Sequence, residues 1–195
     1  MNNHSAPVKV WDIPVRLFHW TLVLSFTLAY LTAEFHVGFI HVWLGYFLIA
    51  LIVARVVWGF AGSQYARFSS FIFSPTETLA YVQSLAKNNP KHYLGHNPAG
   101  ALMVFALLAL LAMIFLSGLV TLAVIDFEGP LLFLLDYFDD NMSYAAKEFH
   151  GLLIDVALVL IPLHLLGVVV GSIQHKENLA RAMVTGMKKN IAHTE

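Results

Sequence analysis

The sequence predicts an all-α integral membrane protein, a four-helix bundle of four transmembrane helices with both termini cytoplasmic and short amphipathic helices at the interfaces. Three observations predict it. The 195 residues are 58% hydrophobic and only 12% charged, where a soluble domain is about one-quarter charged. Four stretches nearly free of charge each approach the about 20 residues that a helix needs to cross a bilayer. Threaded back and forth, these stretches put ten of the 11 Lys and Arg residues on the side of the termini and leave only Lys147 on the other. The excess of positive charge marks the terminal side as cytoplasmic. In a bacterium the bundle sits in the inner membrane, with an acidic periplasmic face that includes Glu34, Asp126, Glu128, Asp136 and Glu148.

The first run, Leu17 to Ala33, predicts a helix over about 14–34. Lys9 and Arg16 precede it as basic residues precede a secretory signal, but a cleaved segment has no use for a histidine inside its apolar run. The second run, Phe35 to Ala54, predicts a helix over about 37–60. The third, with its apolar core from Ala99 to Ile125, predicts 98–125. The fourth, Phe149 to Ile173 with Asp155 inside it, predicts 146–174. Asp155 is read as a shallow, hydrated acid, with a proton-route role as the sharper alternative. The runs are continuously apolar rather than alternating, which argues against a closed barrel. Residues 1–195 read as one domain.

The connections carry their own signals. In SPTETLAYVQSLAKN, Ser74 is an N-cap, Pro75 fits the first helical position, and Glu77 completes a capping box. Leu79, Val82 and Leu85 form one apolar face suited to the membrane surface. In GPLLFLLDYFDDN, Leu131, Leu134, Leu135 and Phe138 predict an interfacial helix on the periplasmic side. The tail after Lys176 predicts another short amphipathic helix.

With no cysteine and ten histidines, disulfides, iron–sulfur clusters and covalent haem attachment are excluded, and histidine is the ligand type to examine. His19 lies near the cytoplasmic end of the first run and His41 near the periplasmic start of the second. His150 is shallow on the periplasmic side of the fourth, and His164 follows 14 residues later. At about 100° per residue, that spacing returns to within about 40° of the same helix face, and at 1.5 Å per residue it separates the rings by about 21 Å. His150 is therefore level with His41, and His164 is nearer the level of His19. Two imidazoles facing each other across a bundle suit a haem iron with two axial ligands. A single ion shared by all four is excluded by the helical spacing, since metal–nitrogen bonds are about 2 Å. Gly45, Gly118, Gly151 and Gly167 offer places where the bundle can open, and Pro162 frees a carbonyl near His164.

The remaining polar candidates are secondary. Lys147, one turn before His150, is the basic residue placed to meet a propionate of a periplasmic-side haem, and Arg16, Arg55 and Arg67 are the cytoplasmic candidates. His96, in LGHNPAG, is placed to bond a propionate or a quinone oxygen, with capping or turn formation as the plain alternative. His36 reads as solvated, and His92, His175 and His193 as cytoplasmic surface residues.

Several segments together resemble the bacterial di-haem cytochrome b561 family, especially the cytochrome b subunits of nickel–iron hydrogenases. They are VWDIPVRLFHW with His19, FIHVWLGY with His41, RVVWGFAGSQYARFSSF, LGHNPAGALM, and the pair His150 and His164. The resemblance implies two non-covalent haem b groups, held by His19 with His164 and by His41 with His150. It also implies electron transfer between membrane quinone and a redox partner, a periplasmic c-type cytochrome or a hydrogenase-like enzyme. The expected surroundings are membrane lipid, with no nucleic acid. A homodimer is compatible with the sequence and not required by it. Two alternatives are a superoxide-oxidising quinone reductase on the same scaffold, which the acidic periplasmic face disfavours, and a haem-free histidine-based metal or proton transporter.

Overall fold

A computed structural model describes residues 6–87 and 89–189; the expectation for His193 lies outside the described residues. The architecture is all-α. The helices are α1 (Ile13–Glu34), α2 (Gly38–Ala61), α3 (Pro75–Ala86), α4 (Pro98–Val124), α5 (Asp140–Gln174) and α6 (Leu179–Thr185). Four of them, α1, α2, α4 and α5, are long and apolar enough to cross a membrane. Their outward faces are apolar too: Leu24 is 62% exposed, Phe39 77% and Val159 61%. Such surface is stable against hydrocarbon and costly against water.

The chain divides into two compact units, each taking a segment from all four long helices. Within the described residues, the first unit comprises 6–24, 53–104 and 164–189, and the second 25–52 and 105–163. The second unit is centred on Leu110, Ile114, Leu153 and Ala157, with Phe26, Phe115, Ile154 and Leu160 packed around them.

In the first unit, Asp12 ties three places together. Its Oδ1 accepts the Val15 N–H at 2.8 Å, capping the start of α1. Its Oδ2 accepts from Trp58 Nε1 at 2.9 Å and from the Ser63 hydroxyl at 2.6 Å. Burial alone would raise the carboxyl pKa, but these hydrogen bonds outweigh it and hold the group below its ordinary value. Two short strands, β1 (Val8–Lys9) and β2 (Met187–Lys188), pair antiparallel and bring the N-terminal segment against the chain that follows α6. Gly186 stands at φ +82°, and a Cβ there would lie 2.5 Å from the Trp11 carbonyl oxygen. Its own carbonyl accepts from Val10 and Trp11 N–H.

The expected connecting helices are present with local differences. The α3 capping box is formed on both sides between Ser74 and Glu77, and Asn178 caps α6 through the Arg181 N–H. The apolar loop on 131–138 forms a 3-10 turn, Leu132–Tyr137, rather than a longer helix. The fourth long helix starts at Asp140 rather than near 146, because the Asp139 carboxylate caps it by accepting the Met142 N–H at 2.8 Å. It continues through Pro162 as one helix.

Replacing Asp12 with Ala removes a helix cap and leaves two donors unmet, so stability should fall by about 1–3 kcal/mol. Thermal unfolding of the detergent-solubilised variant checks this; an unchanged midpoint would show that the three contacts do not matter.

Candidate functional site

Each unit holds one pair of histidines that face each other from two of the long helices. In the first unit His19 on α1 and His164 on α5 have ring centroids 6.5 Å apart, with planes at 50°. In the second, His41 on α2 and His150 on α5 have centroids 6.5 Å apart, with planes at 84°. Two imidazoles bound on opposite sides of one iron, with bonds of about 2 Å and a nitrogen about 1.1 Å from each centroid, would stand about 6.2 Å apart. Both pairs match that span. Direct hydrogen bonding between the rings would bring them closer, and apolar packing would not leave two polar rings facing across such a gap.

The second pair shows how its nitrogens are assigned. His41 Nδ1 lies 2.9 Å from the Ala29 carbonyl oxygen. A carbonyl only accepts, so Nδ1 carries the proton and Nε2 keeps its lone pair. His150 Nδ1 lies 2.9 Å from Ser117 Oγ, and the Ser117 hydroxyl donates to the Ile114 carbonyl at 2.9 Å. The single hydroxyl proton is committed there, so Oγ accepts from His150 Nδ1–H. Both rings thereby present an unprotonated Nε2, the form that binds a metal. Ser117 carries this role without having been legible in the sequence, where it is only a small polar residue in an apolar run.

There is also room. A cavity of about 550 Å³ is lined by His41 and His150 together with Gly45, Gly118 and Gly151, a volume typical of sites for cofactor-sized molecules. A Cβ on Gly45 or Gly151 would meet nothing within 4 Å, whereas one on Gly118 would lie 3.1 Å from His150 Cε1. Gly118 therefore makes space for the ligand ring, and Gly45 and Gly151 border open volume. A flat macrocycle fits this arrangement. Among the described residues, no three or more His, Asp or Glu side chains are grouped to hold one bare ion.

Less is committed around the first pair. His19 Nδ1 is buried without a hydrogen-bond partner. Gly167, one turn beyond His164, again borders open space. His96 packs its ring 4.3 Å from Phe71 and 4.7 Å from Trp11. Burial, then the charges of Arg55 and Lys188, push its pKa down to about 3, so the ring is neutral.

The other sequence candidates are dispersed. Lys147 is exposed and does not line the cavity, whose charged lining is Glu34, Glu148 and Asp155. Arg16 donates to the main-chain carbonyls of Val184 and Asp12 and so secures the chain at the end of α6. His36 is exposed, as expected. His92 and His175 are not surface residues: they are half-buried, 5.2 Å apart, in a polar cluster. There His92 Nε2 lies 3.6 Å from the buried Glu177, and His175 Nε2 lies 3.2 Å from the Tyr81 hydroxyl.

The model of the prokaryotic cytochrome b561 family matches residues 10–186, a stretch that holds all four paired histidines. The chain belongs to this family. It is similar to probable Ni/Fe-hydrogenase B-type cytochrome subunits of Azotobacter vinelandii (29% identical over 50% of this chain and 52% of the relative) and Rhodobacter capsulatus (25% over 53% and 50%). A third, from Rhizobium leguminosarum bv. viciae, is 28% identical over 53% of this chain and 54% of its own. The chain thus spans about half the length of the curated relatives it matches. No solved structure matches it. As a prokaryotic cytochrome b561, the protein is a multi-pass membrane b-type cytochrome, a family whose cofactor is haem b.

Ser117→Ala removes the acceptor that orients His150. Loss of such a partner typically weakens metal binding about 10–100-fold. Haem titration of protein produced without haem should show this loss at one class of site; equal affinity would assign Ser117 no part in ligation.

Proposed function

We propose that this cytochrome holds two haem b groups, one between His19 and His164 and one between His41 and His150, and relays electrons across the bacterial inner membrane. The observation that carries this reading is the pair of equal 6.5 Å ring separations, each in its own compact unit. A bound haem iron supplies one-electron transfer by cycling between ferric and ferrous states. The protein orients the rings, keeps Nε2 of His41 and His150 unprotonated through their Nδ1 partners, and excludes water with apolar helix faces.

In this reading a membrane quinone exchanges electrons at one end and a redox partner does so at the periplasmic face. The partner is a hydrogenase-like enzyme, as the names of the relatives suggest, or a c-type cytochrome. Glu34 and Glu148 at the cavity, with Asp126, Glu128 and Asp136 in the loops that this reading puts on the periplasmic side, favour a basic docking surface on that partner. Lys147 remains the candidate cation for a propionate on this side.

His164→Leu should remove one haem and leave the other, and His41→Leu should do the same for the opposite site. The haem-to-protein ratio should fall from two to one in each single variant. Full haem content in either would refute the pairing.

A further inference from the structure

Arg55 is a cation buried on an apolar helix. It is 5% exposed. Its Nη2 donates to the Ala66 carbonyl at 3.2 Å, and its Nη1 is buried with no hydrogen-bond partner. The guanidinium carbon lies 4.9 Å from the Phe68 ring centroid and 6.0 Å from that of Phe18. Among the described residues no carboxylate comes within ion-pair distance of it. The charge of Asp12 acts on it from beyond ion-pair distance, while the oxygens of Asp12 accept from Val15, Trp58 and Ser63. Aromatic faces offset part of the desolvation, but a buried charge lacking a hydrogen-bonded counter-ion remains strongly unfavourable.

His96 has a matching deficiency: its Nδ1 is buried without a partner, and its ring lies 4.3 Å from Phe71, whose ring stands 5.9 Å from the Phe68 ring that Arg55 covers. Two unmet groups thus flank one aromatic pair, one cationic and one able to donate from a neutral ring. Their complement is an anionic oxygen acceptor, and a planar guanidinium matches a carboxylate best.

We propose that Arg55 and His96 bind a propionate carboxylate of the haem held by His19 and His164. This rests on the two-haem reading above. Arg55, His96, His19 and His164 all belong to the same compact unit, and Phe18, against Arg55, directly precedes His19. Arg16 is occupied by main-chain carbonyls. Lys188 is occupied by Glu177 at 3.4 Å and the Tyr93 carbonyl at 3.1 Å. Arg67 is exposed. Among the described residues, Arg55 is the cation left with a free donor in the interior.

The test uses the full chain carrying His41→Leu, so that only the His19–His164 haem is present. It is loaded either with natural haem or with haem dimethyl ester, which lacks the carboxylates. Transfer of haem to excess apomyoglobin gives the loss rate. Arg55→Gln should speed loss of natural haem about tenfold or more and leave loss of the ester unchanged; His96→Gln should act in the same direction. Equal acceleration for both haems would assign Arg55 to the fold or to another anion, such as a lipid phosphate, and overturn the proposal. No acceleration for either would overturn it as well. If Arg55→Gln does not fold, Arg55→Lys, which keeps the charge but not the fork, replaces it under the same criteria. Failure of the His41→Leu chain to bind any haem would instead remove the histidine pairing itself.

Discussion

The structure depends on how a histidine ring on an apolar helix satisfies both of its nitrogens. In His41 and His150, Nδ1 is met by the Ala29 carbonyl and the Ser117 hydroxyl, respectively. That leaves Nε2 on each ring with a lone pair and a partner ring 6.5 Å away. A metal between the rings completes both. Without it, the chain would bury polar groups that hydrocarbon penalises. The glycines beside these rings follow from the same need, since a ligand pair is useful only with open volume for a macrocycle around it.

This constraint explains why so much of the chain is arranged along four helices. α5 contributes to both pairs, from His150 and His164, while α1 and α2 each contribute one ring. The first unit adds polar anchorage: Asp12 joins the start of α1 to α2 and the segment after it, and the paired strands fasten the N-terminal segment to the end of α6. These ties set the helix ends at which His19, Arg55 and His96 are presented.

The long helices were legible, and so was which histidine rings come to face each other, because a spacing of 14 residues on one helix fixes both face and depth. The α3 cap was legible for a similar reason, since Ser74, Pro75 and Glu77 act on one another locally. What escaped the sequence depends on distant contacts. Two-residue strands have no pattern of their own, and Val8 pairs with Lys188. His92 and His175 looked like surface residues because Glu177 meets His92 and Tyr81 meets His175 only after folding. Ser117 was invisible as a partner of His150 because it lies 33 residues away. Arg16 and Arg55 looked alike in sequence, yet one spends its donors on carbonyls while the other is buried with a donor unmet.

The most direct test of the central claim is near-infrared magnetic circular dichroism of the oxidised, haem-replete protein, with haem quantified on the same sample. The charge-transfer band of low-spin ferric haem reports the axial ligands. Two haems per chain, both with bis-imidazole bands, are predicted. A single haem, or a band requiring methionine or another ligand in place of one histidine, would contradict the pairing of His19 with His164 and of His41 with His150.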